Sequence, residues 1–260
     1  LAQSIGAERF VREIALTESL VHPDILPALE HGDANGRLYV VLPFMEGGTL
    51  RDRLLAERQL PVADVLTIIE QVADALDYAH AHKVIHRDVK PENILFSGSR
   101  AHLGDFGIAR PLERVLGETT TTTGVVRGTP AYMSPEQAAG ERNLDARTDV
   151  YALGCVAYEM LAGMPAFVGP TQQSVIAQRM TYGPRPLSIY RPSVPIEMQH
   201  AVVRALDPAA ADRFQTPGQF ARALRAALTA SGQQGDPGLR TAPASGAPAA
   251  SSATSSRLAA

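Results

Sequence analysis

The sequence predicts an α+β fold in which a few short strands come first and a larger, mainly helical part follows. Helical spacing of apolar residues is found at residues 5–20, 61–82, 145–162, 195–206 and 216–228. Short strand-like runs are found at residues 38–42, 84–85, 94–96 and 102–103. The 145–162 segment is almost wholly apolar after its first turn, which predicts a central buried helix.

The bulk composition is that of a globular protein and argues against several classes of function. The 260 residues are 45% apolar and 20% charged, which is enough to build a sizeable core. The formal net charge of −3 indicates neither a nucleic-acid partner nor a membrane surface. No apolar run approaches the roughly 18–20 residues that span a bilayer, so we expect no membrane segment in this chain.

The single cysteine gives an indication of the cellular compartment, and the last thirty residues give an indication of the domain organisation. Cys155 lies in an apolar stretch, which predicts a buried, inert thiol and fits a reducing, cytoplasmic compartment. From residue 231 onward Ala, Ser, Pro and Gly dominate, which predicts a disordered linker or tail over residues 231–260. A membrane anchor or a further domain beyond residue 260 is left open.

Residues 86–107 carry the groups that phosphoryl transfer requires, namely a residue that orients the acceptor hydroxyl, metal ligands and a cation. Asp88 can accept or orient the proton of an attacking hydroxyl group, and Lys90 can reach a γ-phosphate. Asn93 and Asp105 offer hard oxygen ligands of the kind that Mg2+ prefers. The spacing of these four side chains therefore predicts a phosphoryl-transfer site.

The stretch His-Arg-Asp-Val-Lys-Pro-Glu-Asn at residues 86–93, followed by Asp-Phe-Gly at 105–107, resembles the protein-kinase signature. In particular the chain is similar to the eukaryotic-type serine/threonine protein kinases of bacteria. The resemblance implies a protein-kinase-like fold with a truncated small N-lobe (its first helix and last two strands) at residues 1–44. A complete, mainly helical C-lobe would occupy residues 45–230. The resemblance also implies ATP and Mg2+ as cofactors and protein substrates with Ser or Thr acceptors, and it allows a kinase homodimer.

In this resemblance residues 86–93 form the catalytic loop, and further residues near it are assigned roles. Lys90, two residues after Asp88, implies serine/threonine specificity. Thr129, in a Gly-Thr-Pro-Ala-Tyr run, would hydrogen-bond toward both of these side chains. Asp149 resembles the aspartate that braces the backbone of the catalytic loop.

An ion pair and an adenine site also follow from the resemblance. Glu136 would pair with Arg213 in a buried salt bridge. Residues 43–45 would form the hinge, the segment that presents the carbonyl of Pro43 and the N–H of Met45 to the adenine base. Leu95 would form the apolar floor under the base.

Regulation by phosphorylation is implied by Arg87, which stands beside the catalytic aspartate and could bind a phosphate on the activation loop. The resemblance places the activation loop at residues 105–136. This loop contains a run of threonines at residues 119–123, and the spacing favours Thr121 and Thr123 as autophosphorylation sites. The alternative is that this run is a solvated low-complexity segment without a regulatory role.

The sequence also lacks two parts that the family has at its start. No glycine-rich loop precedes Glu13, which occupies the place of the glutamate that grips a lysine, and no lysine precedes Lys83. Two explanations compete: a fragment of an ordinary kinase, which we favour, or a pseudokinase that acts as a protein-binding scaffold. Either way, we expect the chain as given to show little activity.

The histidines are interpreted without a metal. His80, His82, His102 and His200 are not spaced as a metal-ligand set, so we expect them at the surface or at helix ends. His86 is expected to pack beside Phe106 as a structural element rather than act as a base.

Overall fold

A computed structural model describes residues 19–34, 37–106, 130–141 and 143–233. Almost all of the helix expected at residues 5–20 lies outside these ranges, as do four of the expected site residues. Those four are Glu13, Thr121, Thr123 and Thr129.

The first described element is an antiparallel hairpin of β1 (Glu30–Ala34) and β2 (Arg37–Val41), in which Glu30 lies opposite Val41. The sequence predicts β2, at residues 38–42, but not β1. The polar β1 segment Glu-His-Gly-Asp-Ala has little strand propensity of its own, so pairing with β2 decides its conformation.

A second antiparallel hairpin consists of β3 (Ile94–Ser97) and β4 (Arg100–Leu103), with Ile94 opposite Leu103. Both strands are confirmed and are longer than the runs that predict them. The strand expected at residues 84–85 is wrong, because that segment has no regular structure and lies in no ladder within the described part of the chain. It instead leads from a helix into the catalytic loop.

The helical part is centred on two long helices, the second and the fourth in chain order. The short helix α1 (Leu50–Glu57) comes first, and the long helix α2 (Val62–Ala81) follows it, with Pro61 as its N-cap residue. The predicted apolar stripe of α2 is fully buried, at Val65, Ile68, Ile69, Val72, Leu76 and Ala79. After the short helix α3 (Pro135–Ala138), the predicted central helix is α4 (Ala146–Ala162), and its residues 148–162 are all buried. Burial also raises the pKa of the Cys155 thiol to about 12, as expected for an inert cysteine.

The remaining helices surround α2 and α4. They are α5 (Gln172–Thr181), α6 (Leu187–Tyr190), α7 (Ile196–Ala205) and α8 (Pro217–Gln233). Helix α8 packs on α2, where Arg225 pairs with Glu70. It runs three residues past the predicted boundary at residue 230, so residues 231–233 are helical and not part of a disordered tail. No helix in the described ranges is both long enough and apolar enough to cross a membrane.

Candidate active site

Asp149, in the first turn of α4, anchors the catalytic loop by hydrogen bonds to its backbone. Asp145 caps this helix by accepting a hydrogen bond from the Arg147 N–H, which fixes where the first turn begins. The fully buried carboxylate of Asp149 then accepts hydrogen bonds from two consecutive backbone N–H groups, those of His86 at 2.9 Å and Arg87 at 2.7 Å. The structure thus contains the contact that the resemblance implies for Asp149.

A third contact to Asp149 comes from His80, which the sequence predicts at the surface or at a helix end. The His80 Nε2 lies 2.7 Å from Asp149 Oδ2, and the side chain is 11% exposed. His80 lies in the last turn of α2, so the expected helix-end position is confirmed, although its side chain is largely buried. The two residues are 69 positions apart, and no local pattern in the sequence could have revealed the contact.

Both ring nitrogens of His86 make hydrogen bonds. Its Nδ1 accepts a hydrogen bond from the Asp88 N–H at 3.2 Å, so Nε2 carries the proton and donates to the Gly104 carbonyl at 2.8 Å. The ring meets Phe106 edge-on with 4.6 Å between centroids. These contacts agree with the structural role expected for His86.

Two of the predicted catalytic side chains, Lys90 and Asn93, converge on the Asp88 carboxylate. Lys90 Nζ donates to Asp88 Oδ2 at 2.6 Å. The Asn93 amide donates to the same oxygen at 3.1 Å and to the Asp88 carbonyl at 2.9 Å. Asn93 is buried, whereas Asp88 remains 42% exposed and can be reached by a second molecule.

The hairpin of β3 and β4 brings Asn93 and Asp105 to the same end of the site. Asn93 directly precedes β3, and the Gly104 N–H after β4 donates to the Asn93 carbonyl at 2.8 Å. Asp105 follows with a φ of 57°, a left-handed conformation that turns the chain as it leaves the hairpin. Since the Asn93 nitrogen donates to Asp88, its amide oxygen is left, together with the exposed Asp105 carboxylate, as oxygen ligands suited to Mg2+.

The predicted hinge runs alongside β3. The Gly47 N–H donates to the Phe96 carbonyl at 3.1 Å, and the Phe96 N–H donates to the Gly48 carbonyl at 3.0 Å. These bonds bring the hinge residues Pro43 and Met45 and the predicted floor residue Leu95 to one region, where all three are half-buried. In the described part of the chain the Pro43 carbonyl and the Met45 N–H have no hydrogen-bond partner.

The predicted ion pair between Glu136 and Arg213 is present and bidentate. Nη1 and Nη2 of Arg213 each lie 2.8 Å from a Glu136 oxygen, and Thr148 donates to the same carboxylate at 2.9 Å. Arg213 is fully buried. Burial raises the pKa of the Glu136 carboxyl, but the hydrogen bonds and positive charge of Arg213, together with hydrogen bonds from the Glu136 backbone N–H and Thr148, hold that pKa below its ordinary value.

The side chain of Arg87 is exposed beside the catalytic loop. Its backbone has a φ of 69°, and its carbonyl accepts a hydrogen bond from Gln137 Nε2 at 2.8 Å, which ties the loop to α3. Its expected phosphate-bearing partners, Thr121 and Thr123, lie outside the described residues, as does Thr129.

The fold and the arrangement around Asp88 define a protein of the kinase class. Residues 2–212 match the family described as "Protein kinase domain", and the chain belongs to that family. It is similar to "Serine/threonine-protein kinase PknB" of Mycolicibacterium smegmatis (41% identical over 82% of this chain and 34% of that protein). It is also similar to "Serine/threonine-protein kinase pkn2" of Myxococcus xanthus (36% identical over 88% of this chain and 28% of that protein). The relatives are thus bacterial serine/threonine kinases, and the chain spans about a third of their length.

Solved structures agree with this assignment. The crystal structure of the Mycobacterium tuberculosis PknI kinase domain matches with a TM-score of 0.67 and 32% identity, over 86% of this chain and 79% of that one. The structure of Rad53 in complex with AMP-PNP matches with a TM-score of 0.68 and 26% identity, over 83% of this chain and 54% of that one. The kinase-like fold is therefore confirmed, and these comparisons do not favour the scaffold alternative.

Proposed function

We propose that this chain is the catalytic part of a serine/threonine protein kinase that transfers the γ-phosphoryl group of ATP to hydroxyl groups of proteins. The observation that carries the proposal is the convergence of Lys90 and Asn93 on Asp88, with Lys90 Nζ 2.6 Å from the Asp88 carboxylate. A kinase needs such groups to position the acceptor hydroxyl and to stabilise the transferring phosphoryl group.

In this proposal each side chain performs a separate task. Asp88 orients the acceptor hydroxyl and receives its proton, since its carboxylate is exposed and fixed by two donors. Lys90 places a positive charge where charge accumulates on the transferring phosphoryl group. Thr129 would add a hydrogen bond toward Asp88 and Lys90.

Asn93 and Asp105 would hold Mg2+, which neutralises phosphate charge when bound. ATP would lie between the hinge and the two metal ligands. The face of its adenine base would rest on Leu95, and the edge of the base would bond to Pro43 and Met45. The Met45 N–H and the Pro43 carbonyl, which have no hydrogen-bond partner among the described residues, are suited to that edge, and the structural relative Rad53 was solved with AMP-PNP. Glu13 would contribute from the upper side of the site.

Control by phosphorylation would act through Arg87. Its exposed guanidinium lies on a loop braced by Asp149, so a phosphate at Thr121 or Thr123 could order the activation loop against it. A cytoplasmic location would supply the ATP.

Transfer of labelled phosphate from ATP to a mixture of Ser-, Thr- and Tyr-containing peptides tests the proposal. The assay is run on the 260-residue chain and on any longer reading frame that contains it, each with Asp88→Asn as the control. Transfer to Ser and Thr that requires Mg2+ and is lost in Asp88→Asn is expected. If no form of the protein transfers phosphate above its Asp88→Asn control, the proposal is wrong.

A further inference from the structure

Arg179, on α5, is a fully buried arginine that bonds to the backbone of a distant segment. Its Nη1 donates to the Met133 carbonyl, 46 positions earlier in the chain. The carbon of its guanidinium group lies 5.7 Å from the ring centroid of Phe167 and 6.0 Å from that of Tyr151. Two aromatic rings and a carbonyl therefore fix the direction of the guanidinium group.

Helix α5 docks on the rest of the protein by a narrow face. Among its described side chains only Val175 and Arg179, one turn apart, are buried. Burying a charged guanidinium costs far more than burying an apolar side chain of the same size. The bond to the Met133 carbonyl is a contact that an apolar side chain could not make, so we infer that Arg179 serves this contact.

Met133 belongs to residues 130–138, called the 130–138 segment below. The segment consists of the 3-10 helix Pro130–Tyr132, then Met133, then Ser134 and α3, and α5 packs on both of its helices. Ser134 is the N-cap residue of α3, and its hydroxyl accepts a hydrogen bond from the Gln137 N–H at 3.3 Å. Arg179 thus holds the chain one residue before the point where α3 begins.

The other end of the 130–138 segment reaches the catalytic loop. Gln137 Nε2 donates to the Arg87 carbonyl at 2.8 Å, directly before Asp88 in the chain. A continuous set of contacts therefore leads from Arg179 through the 130–138 segment to the catalytic loop.

We propose that Arg179 is a positioning residue for the acceptor protein, because it fixes the 130–138 segment relative to Asp88. This role rests on the proposed kinase function. The segment directly follows Thr129, which is expected to bond toward Asp88 and Lys90. An acceptor chain whose hydroxyl reaches Asp88 would therefore lie along this segment, whereas the hinge and its nucleotide make no use of the contact.

Hydrogen exchange measures the effect of Arg179 on the segment without any catalytic activity. Arg179→Met keeps much of the apolar stem but takes this donor away from the Met133 carbonyl. The amide protons of Ala138 and Ala139, which bond within α3, should exchange about tenfold faster in the variant. Those in the middle of α2 should keep their rates. Unchanged rates in α3, or equal acceleration in α2, would overturn the proposal.

Arg204→Met is the matched control. Arg204 lies on α7 with its guanidinium carbon 4.4 Å from the ring centroid of Phe214, and its Nε donates to the Asp212 carbonyl at 3.2 Å. It thus makes the same two kinds of contact at an exposed position. Its loss should leave exchange in α3 unchanged, and equal effects of the two variants on α3 would contradict the proposal.

Arg179→Lys is the second variant, needed if Arg179→Met does not fold. Lysine keeps a positive charge and a donor for the Met133 carbonyl but lacks the planar fork, so it should recover part of the protection in α3. The bond between Arg213 and Glu136 remains in both variants, so a cooperative melt is expected. If neither variant melts cooperatively, Arg179 supports the whole fold rather than one segment, and the proposal is wrong.

Steady-state kinetics separate the positioning role from the kinase function. In the form of the protein that transfers phosphate, Arg179→Met should raise the KM for a Ser peptide about tenfold and change the KM for ATP by less than about twofold. Transfer with an unchanged KM for the peptide rejects the positioning role and leaves the kinase function intact. Faster exchange in α3 without transfer by any form of the protein rejects the kinase function, and the acceptor role with it, while the contact between Arg179 and the 130–138 segment stands.

Discussion

The carboxylate of Asp149 accepts a hydrogen bond from the backbone N–H of Arg87, with 2.7 Å between Oδ1 and N. Arg87 has a φ of 69°, in the left-handed region that is costly for residues with a side chain. The buried carboxylate at the start of α4 therefore holds the catalytic loop in a conformation that the loop would not keep alone.

Replacing Asp149 with Asn is expected to lower the free energy of unfolding by about 2–4 kcal/mol, because charge-assisted bonds to buried N–H groups are lost. Urea denaturation measures the change. Asp145→Asn at the cap of the same helix is the control, since Asn caps a helix about as well as Asp. Equal losses in the two variants would show that Asp149 has no special role.

Breaking the ion pair between Glu136 and Arg213 should cost much more than breaking an exposed pair. Arg213→Met is expected to lower the free energy of unfolding by about 3–5 kcal/mol, because it leaves a largely buried carboxylate unpaired. Adding Glu136→Gln should recover part of the loss. Arg225→Met, which breaks the exposed pair with Glu70, should cost no more than about 1 kcal/mol. A double-mutant cycle without coupling would contradict the expectation.

The same ion pair should make stability depend on acid pH. The pKa of Glu136 lies below its ordinary value of 4.5, so its contribution to stability is present above that pH. It is lost as the pH falls below 4.5 through the pKa of the folded state. Melting temperatures measured from neutral to acid pH should fall less steeply in Glu136→Gln, and identical slopes would argue against the pair as the cause.

The two lysines of the chain allow a matched test of the proposed phosphoryl-transfer role. Lys90→Ala should lower kcat about 10²–10³-fold, because a preorganised positive charge is removed from the transferring group. Lys83→Ala, at an exposed position after α2, should leave kcat unchanged. Steady-state kinetics with a Ser peptide measure both, and a similar effect of the two substitutions would sink the assignment.

The hinge should be sensitive to any side chain at Gly47. A Cβ atom there would lie 2.7 Å from the carbonyl oxygen of Phe96, so the strand contact would have to shift. Gly47→Ala is expected to cost about 1–3 kcal/mol in stability and to weaken nucleotide binding. Gly183→Ala meets nothing within 4 Å and should be close to neutral. Thermal melts with and without ATP and Mg2+ measure both effects.

Local patterns predict those parts of the fold that depend on local spacing. The apolar periodicity of α2 and α4 predicts both helices to within a residue or two, because burial of one face or all faces follows from the sequence itself. Local patterns do not predict a conformation that depends on pairing with another segment of the chain. Strand β1 forms against β2 despite its polar sequence. Residues 84–85 are irregular despite their apolar sequence, and no strand pairs with them among the residues that the structure describes.

By itself, the sequence determined the residue types of the predicted catalytic site, the spacing from Asp88 to Asn93 and the resemblance to a kinase. These depend on neighbouring residues and on short, ordered motifs. Only the tertiary structure decided that His80 contacts Asp149, 69 residues away, and that Arg51 contacts Glu159, 108 residues away. Such contacts arise when packed helices bring distant carboxylates together, and no local sequence period encodes that placement.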